Sequence, residues 1–241
     1  MAFQSVFKRY ELKYLLTIEQ KQKLLQEMQP YMQLDKYGRT TIRNLYFDTD
    51  DYLLIRRSIE KPIYKEKLRL RSYAQVDGQI PVYVELKKKF DDVVYKRRIA
   101  ASNAQAMAWL CQGQKLPQET QIAREIDYVL NFYGNLKPTV FLSYEREAYY
   151  CNDGSDFRVT FDENILCRQE ALALTETTYG TPILPEDKVL MEVKCSGGIP
   201  LWMIRFLSRE KIYKSSFSKY GTAYQTLIYP QKHNLEDKIH A

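Results

Sequence analysis

Histidine is nearly missing from this 241-residue chain. There are two, His233 and His240, both in a polar C-terminal stretch. That leaves no credible Ser-His-Asp or Cys-His nucleophilic arrangement. The four cysteines, at 111, 151, 167 and 195, form no CxxC pair. A zinc site or a redox dithiol is therefore not expected. Glycine and proline, nine each, are too few for a disordered or low-complexity chain. No apolar run approaches the ~20 residues of a membrane span, and the polar, charged start carries no secretory signal. Nor is there a GxxxxGK[ST] phosphate loop; Ser196-Gly197-Gly198 lacks that spacing and reads as a turn. Together these absences lead us to expect a soluble chain in a reducing, cytoplasmic setting.

What is abundant is tyrosine, with 20 residues, within an aromatic share of 13%. Tyrosine and β-branched residues favour half-buried pleated surfaces, so the chain is expected to be sheet-rich. The net charge of +6 is modest; its distribution is more telling than its size. In Tyr64-Lys65-Glu66-Lys67-Leu68-Arg69-Leu70-Arg71-Ser72-Tyr73 the basic residues fall at every second position. Side chains of a strand alternate between faces. Lys65, Lys67, Arg69 and Arg71 therefore share one face, and Leu68 and Leu70 the other. The pattern returns in Glu85/Lys87/Lys89, Lys96/Arg98, Tyr144/Arg146, Arg158/Thr160/Asp162 and Glu192/Lys194.

Alternation and turn signals predict strands over residues 5–16, 40–48, 64–75, 81–89, 93–99, 139–150, 156–163 and 188–195. Residues 75–79 and 90–92 suit hairpin connections, and Asp153-Gly154 is a strong one. Thr17 and Gln20 form a capping-box pair ahead of the apolar stripe Leu24, Leu25 and Met28. A short helix is expected from Asp50 or Asp51 through Arg57. Further helical segments are expected over 103–133, interrupted near 113–117, and over 200–212 and 217–228. The fold class is α+β, with about eight hairpin-linked antiparallel strands and helices packed outside. No strong linker divides the chain, so residues 1–229 read as one domain and 230–241 as a polar tail.

Two like charges ~7 Å apart on one strand face repel by roughly 2 kcal/mol at an effective dielectric of about 20. Several such faces converging multiply that cost. Acids in the same rows, such as Glu11, Glu85 and Glu192, offset part of it. The remainder is tolerable where water, salt or an anionic ligand fills the space, and closing the sheet removes its edges and creates such an interior. A condensed phosphate chain matches this demand, since arginine forks and lysine ammonium groups bind phosphate well. The competing reading is a set of solvated sheet faces. A surface patch for nucleic acid at Lys87-Lys88-Lys89 and Lys96-Arg97-Arg98 fares worse, because alternation turns Lys88 and Arg97 away from their neighbours, toward solvent. Trp109 and Trp202 lie in helical segments and read as packing residues.

The order and spacing of several short motifs carry a family resemblance over roughly residues 5–225. They are Phe7-Lys8-Arg9-Tyr10-Glu11-Leu12-Lys13-Tyr14, Tyr46-Phe47-Asp48-Thr49, Leu68-Arg69-Leu70-Arg71, Val84-Glu85-Leu86-Lys87, Ser143-Tyr144-Glu145-Arg146, Arg158-Val159-Thr160-Phe161-Asp162, Met191-Glu192-Val193-Lys194 and Phe217-Ser218-Lys219-Tyr220. The chain resembles the polyphosphate polymerase domain of the VTC family, within the triphosphate tunnel metalloenzyme superfamily. The resemblance implies a closed antiparallel β tunnel in which ATP gives its γ-phosphate to a growing inorganic polyphosphate that threads through. It implies phosphate contacts from Lys13, Arg69, Arg71, Lys87, Arg146 and Arg158, with Lys96, Tyr144, Lys194, Ser218 and Lys219 as further substrate-binding positions. Glu192, with Glu11, would hold Mn²⁺ or Mg²⁺. Eukaryotic relatives work in a membrane assembly, so a membrane partner, if there is one, would be a separate chain. One departure stands out. The superfamily's ExExK strand reads here as Arg9-Tyr10-Glu11-Leu12-Lys13, so its first acid is replaced by a base. That removes one metal carboxylate and favours a basic polymer channel over a two-metal triphosphatase, unless Arg9 only pairs with a neighbouring acid. A tunnel-type triphosphatase and a non-catalytic polyphosphate-binding module are the alternatives.

Overall fold

The computed structural model describes residues 10–77, 80–91, 93–117 and 119–231. Arg9, the connection at 78–79, Asp92 and both histidines lie outside the described residues. In chain order the elements are β1 (Tyr10–Thr17), α1 (Ile18–Met28), β2 (Met32–Leu34), β3 (Thr40–Asp48), α2 (Leu53–Ile59), β4 (Tyr64–Ser72), β5 (Val82–Phe90) and β6 (Val93–Ala101). They continue with α3 (Asn103–Gln112), α4 (Gln121–Tyr133), β7 (Lys137–Cys151), β8 (Arg158–Arg168), β9 (Thr181–Pro182), β10 (Lys188–Cys195), α5 (Leu201–Arg209), β11 (Lys214–Ser215) and α6 (Lys219–Ala223). A π-helical turn over Tyr224–Ile228 extends α6.

All strands belong to one antiparallel sheet, in the order β11-β1-β10-β8-β7-β3-β4-β5-β6, with β2 paired to β7 and β9 to β8. The eight strands expected from alternation are its body. The three short ones were not expected. Among the described residues the ladder does not close completely: the hydrogen-bonded path ends at β6 on one side and β11 on the other. The physical reason is that β11 is only two residues long and pairs with β1 at Lys13 and Tyr14 alone. Side chains, not backbone, span the interior. The Lys87 Nζ of β5 lies 3.4 Å from the Glu11 carboxylate of β1.

Caps place the helices. Thr17 and Gln20 form the expected capping box on α1, and Ser102 with Gln105 forms another on α3. Gly113, at φ 70°, ends α3 in the left-handed region that favours glycine. The start of α2 differs from expectation. Neither Asp50 nor Asp51 caps it; the buried Asp48 accepts from the N–H groups of Leu54 (2.8 Å) and Ile55 (3.0 Å).

The outward faces of the strands are apolar. Leu45, Phe47, Leu68, Leu70, Val84 and Leu86 pack against Trp109 and Leu110 of α3 and Ile126 and Val129 of α4. Tyr14, Leu16, Val159, Phe161, Met191 and Val193 pack against Leu24 and Met28 of α1 and Met203 and Phe206 of α5. With apolar contacts on the outside, the opposite parity must face in. At one end that inner face is apolar as well. Ile42, Val140, Leu142 and Leu190 pack there against Ile55 of α2 and Tyr220, Ala223 and Tyr224 of the C-terminal helix. That end of the concavity is filled. At the opposite end Arg158 is exposed, across the ladder from Lys194. Among the described residues no helix is long and apolar enough to cross a membrane.

Candidate functional site

The inward parity of β1, β4, β5, β6, β7, β8 and β10 brings the expected basic rows to one cavity. On one wall sits Glu85, almost wholly buried, as the hub of four cations. Its Oε2 accepts from Arg69 Nη2 at 2.7 Å and lies 3.8 Å from Arg71 Nε. Its Oε1 lies 2.8 Å from Lys96 Nζ and accepts from Arg98 Nε at 2.7 Å. Burial alone would raise this carboxyl, but Arg69, Arg71, Lys96 and Arg98 hold it well below the usual carboxylate range. The arginines are further aimed by neutral partners. Arg69 donates to the Tyr46 hydroxyl (3.0 Å), and Arg71 donates to Asn44 Oδ1 (2.8 Å) and the Tyr144 hydroxyl (3.0 Å).

A second hub lies on the facing wall. Glu192 has Lys219 Nζ at 3.2 Å, Arg146 Nη2 at 3.3 Å, Lys194 Nζ at 3.3 Å and Lys13 Nζ at 3.7 Å. Arg146 also grips Asp162 bidentately, with both donor distances 2.6 Å, and Lys219 reaches the same Asp162 at 2.5 Å. Despite the opposing effect of burial, these cations keep Asp162 and Glu192 ionised, with Glu192 well below its ordinary range. Glu11 is pulled down to about 2 against the effect of burial, chiefly by Lys87, with Lys194 and Lys13 adding to it. Tyr144 lies under the Lys219 ammonium, 4.5 Å from its ring centroid. Burial would raise its hydroxyl, but Arg71, Arg146 and Lys219 lower it.

Of the residues singled out from sequence, Glu11, Lys13, Arg69, Arg71, Lys87, Lys96, Tyr144, Arg146, Glu192, Lys194, Ser218 and Lys219 meet around this cavity. Arg158 stands apart at the exposed rim, with no ion pair among the described residues. Lys88 and Arg97 do point the other way, as alternation requires. They meet Glu125 of α4, at 3.3 and 3.1 Å, rather than open solvent. Trp109 is buried and donates to Asp127 (2.6 Å), and Trp202 stacks on Tyr31 (4.8 Å); both pack, as expected.

Several participants were assigned no site role from sequence. Asn44 and Tyr46 share the inward parity of β3, and Arg98, Glu85 and Asp162 sit within rows whose alternation was visible. Lys67 is the clearest case: alternation placed it in the basic row, but no role was assigned to it. It lies on the same face as Arg69 and Arg71, and among the described residues its Nζ donates to Ser218 Oγ (3.2 Å) alone.

The donor set also decides how far a metal ion fits. Among the described residues no group of three or more His, Cys, Asp or Glu side chains is placed to hold one. Every oxygen of Glu192 already faces an ammonium or guanidinium group. The protein alone therefore does not build an ion cage. Glu192 and Glu11 fit the lesser role, one or two carboxylate ligands to an ion whose other ligands are phosphate oxygens and water.

The fold has known counterparts. A Bacillus halodurans protein described as a candidate adenylate cyclase superposes with a TM-score of 0.56 at 16% identity, covering 89% of this chain and 96% of that one. A Hippeastrum candidate adenylyl cyclase, in which triphosphatase activity is dominant, superposes with a TM-score of 0.52 at 17% identity, covering 90% of this chain and 94% of that one. At such identities the likeness is one of fold. No curated protein matches the chain. The family model of the VTC domain matches residues 8–228, a span that takes in both carboxylate hubs and every strand of the described sheet, so the chain belongs to the VTC domain family.

Proposed function

We propose that this chain is a polyphosphate polymerase that transfers the γ-phosphoryl group of ATP to the end of an inorganic polyphosphate chain. The observation that carries the reading is the convergence of cations in excess. Lys13, Lys67, Arg69, Arg71, Lys87, Lys96, Arg98, Arg146, Lys194 and Lys219 face four carboxylates, Glu11, Glu85, Asp162 and Glu192. Water or a polyanion must take up that excess, and a condensed phosphate offers charge at regular spacing.

In the transfer, the bond between the γ-phosphorus and its bridging oxygen breaks, and a terminal oxygen of the acceptor chain bonds to that phosphorus. ADP leaves with the electron pair. The acceptor is already an anion, so no general base is required. The carboxylates of the cavity support this choice over hydrolysis. A base that activates water works best with a pKa near the operating pH, and all four acids are held below their ordinary values. Arg69 and Arg71 grip the triphosphate, held by Glu85, Asn44 and Tyr144. Arg146, Lys194 and Lys219 face the transferred group, and Arg158 with Lys194 receives the chain at the open rim. Glu192, with Glu11, would hold Mn²⁺ or Mg²⁺, which would supply charge neutralisation for the leaving diphosphate. We take residues 1–229 as the catalytic unit and nucleic acid as no substrate.

The second reading is a triphosphatase, favoured by the activity of the Hippeastrum neighbour. Incubating pure protein with ATP and Mn²⁺ and resolving products by chain length separates the two. Long phosphate chains support transfer to phosphate; orthophosphate without chains shows that water is the acceptor and overturns the proposal. Tight, salt-sensitive binding without turnover would mark a binding module.

A further inference from the structure

Lys67 is unlike every other cation at the two hubs. Arg69 and Lys96 lean on Glu85, Lys87 and Lys13 on Glu11, and Lys194, Arg146 and Lys219 on Glu192. Lys67 has no carboxylate partner among the described residues, only the Ser218 hydroxyl at 3.2 Å. Its surroundings are cationic on each side. Lys87 is its register partner on β5, Lys65 and Arg69 flank it along β4, and Lys13 faces it from β1, tied to the Phe217 carbonyl at 3.0 Å. Lys65 donates to the Ser58 carbonyl (3.1 Å) and Arg69 to Glu85 (2.9 Å). The three lysines Lys13, Lys67 and Lys87 therefore meet one nearby carboxylate not claimed elsewhere, that of Glu11, so two positive charges are left over whenever all three are protonated.

This spot also lies where the concavity ends. Ser218 caps α6, and α6 is the element whose Tyr220, Ala223 and Tyr224 fill the inner face beyond. An internal unit of a phosphate chain would need an open path on both sides of it. Only a chain end reaches a blind end. The terminal phosphate also differs in charge, since an end group has two ionisable oxygens and an internal unit only one.

We infer that Lys67, with Lys13 and Lys87, forms the seat for the doubly charged terminal phosphate group of the bound chain. The inference rests on the reading that the cavity takes condensed phosphate. It has a consequence in protons. Burial and the neighbouring Lys87, Lys13, Lys65 and Arg69 bring Lys67 down to about 7, so near neutral pH it exchanges a proton readily. A dianion arriving beside it draws a proton on.

The test titrates inorganic tripolyphosphate, and separately cyclic trimetaphosphate, into the full chain by calorimetry at pH 7.5. Two buffers of different ionisation enthalpy report the protons taken up. The cyclic ligand has three phosphates but no terminal one. The wild type is expected to bind the linear ligand at least tenfold more tightly and to take up more than half a proton. Lys67→Met is expected to lose most of that preference and that uptake, while melting no lower, because it removes a buried amine that no carboxylate supports among the described residues. Lys67→Arg is always charged; it should keep the linear preference and lose the uptake. An unchanged linear-to-cyclic ratio in Lys67→Met, or unchanged proton uptake in both variants, overturns the seat while leaving the cavity reading intact. If neither ligand binds the wild type, the cavity reading fails and the seat fails with it.

Discussion

Replacing Glu85 with glutamine tests the wall that grips the triphosphate. The change keeps the size and shape of the side chain and removes one charge from the centre of four cations. Lys96 and Arg98 are 44% and 34% exposed, so their pairs are screened by water and count for little. Arg69 and Arg71, at 19% and 7%, carry the effect. Breaking a buried ion pair by removing one partner costs about 3–5 kcal/mol. The amide oxygen still accepts one hydrogen bond, so we take the lower end, about 3 kcal/mol. For a chain of this size each kcal/mol moves Tm by about 2–4 °C, so the variant should melt roughly 6–12 °C lower. The assay is a thermal melt at low ionic strength, without and with saturating tripolyphosphate. Ligand should raise the variant's Tm more than the wild type's, because it restores negative charge to the same cations. A variant melting within about 2 °C of the wild type would mean that Arg69 and Arg71 are solvated without Glu85, and the reasoning would be wrong.

Further outcomes follow from the same geometry. Glu11, Glu85, Asp162 and Glu192 all have folded-state values below their ordinary ones. The stability that they contribute is present above the unfolded carboxylate range, about 4, and is lost as pH falls through the folded values; acid melts should show little change between pH 7 and 5 and a steep loss below 4. Lys67 runs the other way. Its folded value lies below its unfolded one, so its share of stability grows as pH rises from about 7 to 10, and Lys67→Met should flatten that part of the profile. Arg71→Ala should weaken tripolyphosphate binding by more than the ~0–1 kcal/mol of a surface charge, read by calorimetry; binding equal to wild type would place that strand face outside the site. Mn²⁺ alone should leave Tm almost unmoved, whereas Mn²⁺ with tripolyphosphate should raise it beyond tripolyphosphate alone. A clear shift with the ion alone would reveal a preformed ion site and contradict the assigned donor set.

Much of this architecture is written in local pattern. Alternation of leucine with lysine and arginine over 64–72 set both the strand and its inward face, because a strand cannot bury Leu68 and Leu70 outward without turning Lys67, Arg69 and Arg71 inward. The Thr17–Gln20 capping box and the break before α4 were readable for the same reason: each is settled by residues within one turn. What pattern does not hold is pairing. β2, β9 and β11 have two or three residues each, and their strand character comes from the neighbour they join. Whether β6 meets the far edge is a tertiary matter that no alternation encodes. The two hubs were half visible. Glu85 and Glu192 stood in basic rows, yet the convergence of four cations on each depends on which strands face across the cavity. Asp48 capping α2, and Tyr220 filling the blind end, depend on contacts 6 and more than 170 residues away along the chain.

The central claim is that these lysines meet inside one cavity and are covered by condensed phosphate. Brief acetylation of the protein with and without tripolyphosphate, read lysine by lysine by mass spectrometry, tests it directly. Lys13, Lys67, Lys87, Lys194 and Lys219 should react far more slowly when the ligand is present, while the exposed Lys36, Lys61, Lys115 and Lys211 should react as before. Protection spread evenly over both groups, or absent from the first, would contradict it.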